Sequence, residues 1–182
     1  VEDAPRCGGL ALGMAGAAVN RLAAHPSGEA LFVSTDGVEG LVGARLVRVQ
    51  TATGGLARFE VAAEDGSLAG SLQGMDFDAA GARLFVADRL AQGVWTVPVR
   101  SELGYELGSP GFAAVPQYRH GSCEEVAFAE AAEGQTRLLL SGYDAAGPIT
   151  VSFYVETLLS GILPLSGTGP HLLRRAWPGG AL

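Results

Sequence analysis

RLAAHPSGEALFVSTD (21–36) and GMDFDAAGARLFVADR (74–89) are the two stretches that decide the fold. Each opens on a short apolar alternation, turns at a glycine, then runs through Leu-Phe-Val into small residues and an acid. EVAFAEAAEGQTRLLLSGYD (125–144) follows the same plan with Leu-Leu-Leu in the third place. The turn glycines Gly28, Gly81 and Gly134 stand 53 residues apart at both steps. Each unit leads into a further alternating stretch: ARLVRVQTATGGLARFEV (44–61), GVWTVPV (93–99) and PITVSFYVE (148–156). Apolar residues at every second position, β-branched and aromatic enrichment, and turn residues at short intervals are the pattern of antiparallel strands.

A repeat of about 50 residues holding three or four strands has the length and content of a propeller blade. The expected fold is therefore all-β, with about three to four antiparallel propeller-like blades. The expected organisation is an N-terminal segment (1–19), repeats over 20–166 (about 20–70, 71–120 and 121–166) and a C-terminal arm (167–182). A fourth strand is legible only in the first repeat, as GLARFEV (55–61); residues 101–123 read as a long connection with one irregular strand. At 53 residues per repeat, 182 residues make about 3.4 blades, where closed propellers hold about 4–8. That deficit points to a ring incomplete as a single chain, and hence to a partner chain or a homo-oligomer, because an open sheet end invites pairing.

NRLAAHPSGEALFVSTD and QGMDFDAAGARLFVADR resemble the repeat unit of six- and seven-bladed propellers of the NHL, YVTN and SMP-30/gluconolactonase-like type. The likeness runs over roughly 20–156. It implies a propeller and, in the SMP-30-like case, a rim whose oxygens hold a divalent cation, calcium or zinc, that polarises a lactone carbonyl. Carried over, that resemblance would place Asn20, Asp88 and Glu124 (or Glu125) on the ion, with His120 as general base. The departures are Gln73, where the pattern often has Asn, and the lack of an identifiable glutamate at the start of the propeller.

Composition narrows the function classes. Twelve arginines against nineteen acids give a net charge of −7, and lysine is absent. An acidic surface is a poor grip for nucleic acid or anionic lipid, and without lysine neither Schiff-base chemistry nor a P-loop is possible. GxSxG, HExxH and GxGxxG do not occur. Stretches 7–19 and 149–165 are apolar, but the first follows two acids and the second carries Glu156, Gly161 and Pro164, so no membrane span is expected. Cys7 and Cys123 allow at most one disulfide, and the balance leans to an exported chain.

Rim acids Asp36 and Asp144 are expected beside Asn20, Gln73 and Asp88, where they either ligate or cap turns. RHGSCEE (119–125) is either a Cys–His or Glu–His constellation or a polar loop around one half-buried cysteine. Asp76 and Asp78 resemble the start of a calcium loop, but Ala80 and Ala87 stand where ligands are needed. His25, beside Pro26, and His171 are expected to face solvent. Leu172, Leu173, Arg174 and Trp177 form a docking arm, since Trp and Arg are favoured anchors at interfaces. The leading function is a non-catalytic binding or scaffolding module without cofactor. The alternatives are the metal-dependent lactonase or esterase and a structural subunit of a larger complex.

Overall fold

The computed structural model describes residues 18–36, 44–62, 66, 68–115, 118, 121–130, 136–155 and 171–173. Glycines in the left-handed region set the first hairpins. Gly28 (φ +76°) turns β1 (Val19–Ala24) into β2 (Ala30–Thr35), and Gly81 (φ +70°) turns β5 (Leu72–Phe77) into β6 (Arg83–Asp88). Both sit at equal sequence spacing because an L side chain rarely tolerates that backbone. Gly134 lies outside the described residues.

Three antiparallel sheets result, each strand pairing with the next in sequence except at the split outer edge of the second sheet. Sheet 1 continues through β3 (Arg45–Gln50) and β4 (Leu56–Glu60). Sheet 2 continues through β7 (Gly93–Arg100), and its outermost strand is split. β8 (Glu106–Leu107) pairs with the end of β7, and β9 (Gly111–Ala114) pairs with its start. Sheet 3 holds β10 (Ser122–Glu130), β11 (Thr136–Asp144), β12 (Gly147–Tyr154) and β13 (His171–Leu173). All three sheets are thus four-stranded in plan. The irregular connection at 101–123 supplies β8 and β9, and residues 171–173 of the expected arm pair with Ser152–Thr150 of β12.

The period-two pattern sorts side chains onto two faces of the middle sheet. Leu84, Val86, Trp95 and Val97 point to sheet 1 and pack with Phe32, Leu46 and Val61. Phe85, Ala87 and Val94 point to sheet 3 and pack with Leu138, Leu140 and Val151. Sheet 2 is therefore sandwiched, and burying both of its faces supplies most of the driving force for stacking. In every sheet the first strand slips register near its start, between Val19 and Arg21, Leu72 and Met75, and Cys123 and Glu125. A bulge there re-aims the following side chains.

His25 is the main correction to the sequence expectation. It is 5% exposed, wedged between sheets 1 and 2 with its ring edge-on to Phe77 and Tyr105. Nε2 lies 3.1 Å from the Gly81 carbonyl, an acceptor, and Nδ1 lies 3.1 Å from the Ser27 N–H, a donor. Nδ1 thus faces a donor and Nε2 an acceptor, which orients the ring. Gly81 is glycine for this reason as well as for its φ: a Cβ there would stand 2.3 Å from His25 Nε2. The Ser27 hydroxyl bonds to Tyr105 Oη, which donates to the Glu29 carboxylate, extending the latch to the surface. That contact with Glu29 raises the Tyr105 hydroxyl above its ordinary pKa.

Candidate functional site

The ends of β2, β6 and β11 and the starts of β1, β5 and β10 share one rim. Asp36, half-buried, accepts from Asn20 Nδ2 (2.8 Å), Ser71 Oγ (2.5 Å) and Gln73 Nε2 (3.3 Å). Asn20 also donates to the Leu72 carbonyl at 2.7 Å. Ser71 was invisible to sequence reasoning because it belongs to no repeated motif; it is the hydroxyl through which Asp36 and Gln73 meet.

Asp88 is 0% exposed, and five N–H groups fill its carboxylate. Oδ1 accepts from Ser71, Leu90 and Ala91, and Oδ2 from Gly70 and the Trp95 indole at 2.9 Å. These bonds hold the turn after β6 and tie it to Trp95. Asn20 is directed at Asp36 and Leu72, and Glu124 at Arg89 (3.5 Å). Among the described residues no group of three His, Cys, Asp or Glu side chains is placed to hold a metal. Asp144 accepts from the Ala146 N–H at 2.7 Å in the β11–β12 turn. Asp76 accepts from Phe77 and, across the sheets, from the Phe128 N–H at 2.8 Å, while Asp78 caps its turn through the Arg83 N–H.

The first strands of the three sheets converge at Gly74. A Cβ there would lie 2.6 Å from the Glu125 Cα, so β5 and β10 approach as closely as backbones allow. Over this seam Arg21 of β1 reaches Glu125 of β10, with Nε donating at 2.7 Å. Both partners are about half exposed, which limits such a pair to roughly 0–1 kcal/mol. The pair bridges the first strands of sheets 1 and 3.

Cys123 is fully buried between sheets 2 and 3, and its thiol is free. Burial pushes its pKa up to about 12, and the carboxylates of Glu124, Asp88 and Glu125 act in the same direction. A nucleophile needs the opposite shift. In a Cys7→Ser chain at pH 8, alkylation of native Cys123 should be about a thousandfold slower than in denaturant, rising about tenfold per pH unit. A native rate near the denatured one would contradict the burial. Cys7, His120, Arg174 and Trp177 lie outside the described residues; Leu172 and Leu173 fall in β13.

A groove of about 450 Å³ opens beside this seam on the outer face of sheet 3, lined by Arg21, Glu124, Glu125, Ser141, Tyr143 and Thr150, among others. Tyr143 is 54% exposed. No protein-family profile matches the chain, and no curated protein is significantly similar to it. Among solved structures it is similar to the β-propeller domain of Myceliophteria thermophila Cps50 (Swd1), with a TM-score of 0.55 at 15% identity, over 87% of this chain and 43% of that one. The sheets are propeller blades. At this identity the likeness establishes fold, and a fold hosts many activities. The chain spans less than half the length of the solved propeller it matches. Among the described residues, no helix is long and apolar enough to cross a membrane.

Proposed function

We propose that the chain is a non-catalytic protein-interaction module whose two end blades offer sheet faces to a partner. The observation that carries this reading is the stacking itself. Blade 1 meets blade 2, and blade 2 meets blade 3, through opposite faces of a four-stranded sheet. Blade 3 presents the corresponding next face, on which Ala127 and Tyr154 are exposed and Leu139 is half-buried. On the far side of blade 1, Leu22 is 64% exposed and Leu31, Val49 and Leu56 are half-buried, around Val33 and Val47, which are buried on the same face. A blade with a spare face has the shape and strand direction to receive another blade. A second copy stacked head to tail makes six blades, within the about 4–8 of closed propellers.

Ala127→Arg tests this, because the site is exposed and tolerates the change while a cation there blocks stacking. Native mass spectrometry over a concentration series should show an assembly with the parent chain and its loss with the variant. A chain that stays monomeric throughout, with no difference between the two, would overturn the reading for self-association. The finer SMP-30-like lactonase alternative has its own signature, a Tm that rises with added calcium or zinc by mass action.

A further inference from the structure

We propose that the groove on blade 3 seats the first strand, β1, of a second copy of this chain, with Arg21 of each copy beside Glu125 of the other. This deepens the stacking reading above and rests on it.

The warrant is the register of the two seams already inside the chain. Aligned on the slip in each first strand, Val19, Leu72 and Cys123 hold one place, and Asn20, Gln73 and Glu124 the next. Arg21, Gly74 and Glu125 follow, then Leu22, Met75 and Val126. On the second strands the matching sets are Phe32, Phe85 and Leu139, and Ser34, Ala87 and Ser141. Between blades 1 and 2, Leu72 and Met75 are buried in the cluster that holds Phe32, and Ser34 donates to the Gln73 carbonyl at 2.7 Å. Between blades 2 and 3, Cys123 and Val126 are buried in the cluster that holds Phe85 and Ala87. The first strand of each blade thus covers the second strand of the blade before it.

Both halves of one more such seam stand open. On blade 3, Leu139 is half-buried and Ser141 lines the groove. On blade 1, Val19 is 52% exposed and Leu22 64%, where their counterparts in the other blades are buried. The opening lies along β1, since Val33 and Val47 on the neighbouring strands are already buried. Seating β1 of a second copy on blade 3 covers Val19 and Leu22 and brings the Asn20 carbonyl to the Ser141 hydroxyl. That carbonyl accepts from Arg21 Nη1 at 3.0 Å and has a second lone pair to give.

Charge selects a second copy over an unrelated blade. Read around the ring at the level of Gly74, the residues run Arg21, Gly74, Glu125, then Arg21 of the second copy. Each new seam therefore sets an acid beside a base. Inside the chain Arg21 reaches Glu125 across Gly74, which has no side chain to block it. Between copies the groove of about 450 Å³ supplies the corresponding room.

Charge reversal in two separate chains tests this, read by sedimentation equilibrium at low salt, where such pairs are least screened. Arg21→Glu alone and Glu125→Arg alone should each weaken self-assembly about tenfold or more, because like charges then meet at both seams. Mixed in equal amounts, the two variants should assemble as tightly as the parent chain, each seam again setting an acid against a base. The pair within each chain stays broken in both variants, so recovery on mixing reports contacts between copies alone. Leu22→Asp, at a site exposed in the single chain, should weaken assembly without lowering the Tm of the monomer. Variants that assemble as tightly as the parent, or a mixture as weak as its components while the parent assembles, would overturn this inference and leave the stacking reading standing. A parent chain that stays monomeric at every concentration would overturn both.

Discussion

Replacing Asp88 with alanine is expected to lower Tm by about 6–20 °C, the largest effect of any single rim substitution. Five N–H donors converge on this fully buried carboxylate, and truncation leaves them without an acceptor. Each buried donor left unpaired costs about 1–3 kcal/mol, less whatever water recovers at the turn. A net loss of about 3–5 kcal/mol in a chain of this size corresponds to roughly 2–4 °C per kcal/mol. Asp88→Asn keeps one acceptor oxygen but sets an NH2 against donors, so its loss should be intermediate. Trp95 reports the same event by emission: its indole loses the bond to Oδ2, and its band should shift red. A drop below about 3 °C for the alanine variant would show that the carboxylate is not the organiser of this turn.

The second large effect is Gly74→Ala. Its Cβ would meet the Glu125 Cα at 2.6 Å and the Glu124 carbonyl oxygen at 3.0 Å, both backbone atoms that no rotamer change can clear. β5 and β10 would have to separate, loosening the seam between blades 2 and 3 and the Arg21–Glu125 pair above it. Overpacking of this kind costs about 1–3 kcal/mol and more where backbone must move, and this site belongs at the upper end. Gly54→Ala is the matched control, since Gly54 has φ +69° and open space around its Cβ position. It should cost only the backbone penalty of about 1 kcal/mol. Chemical denaturation of both variants separates the two cases: equal losses would mean the seam is not close-packed.

What could be read from the sequence follows from how many neighbours a strand has. Leu31–Val33, Leu84–Val86 and Leu138–Leu140 lie on second strands, paired on both sides and covered on one or both faces, so their apolar runs are forced. The fourth strands pair on one side only. β8 and β9 are short, broken by Ser109 and Pro110, and need no strict alternation, so they read as a connection. Asp88 stood out as an acid after an apolar run, but its role depends on Trp95 and on turn amides that only the fold brings to it. His25 read as a turn residue because its cover, Phe77, Gly81 and Tyr105, lies more than fifty residues along the chain. Arg21 and Glu125, 104 residues apart, carried no local signal of their meeting.

The proposed interface on the outer face of blade 3 is open to hydroxyl-radical footprinting of dilute and concentrated chain. Tyr154, on that face with the Arg137 guanidinium 4.7 Å from its ring, should lose labelling as concentration rises. Leu90 and Leu103, exposed elsewhere on blade 2 and its connection, should not change. Unchanged labelling of Tyr154, or protection that falls on Leu90 and Leu103 instead, would contradict the assignment of that face.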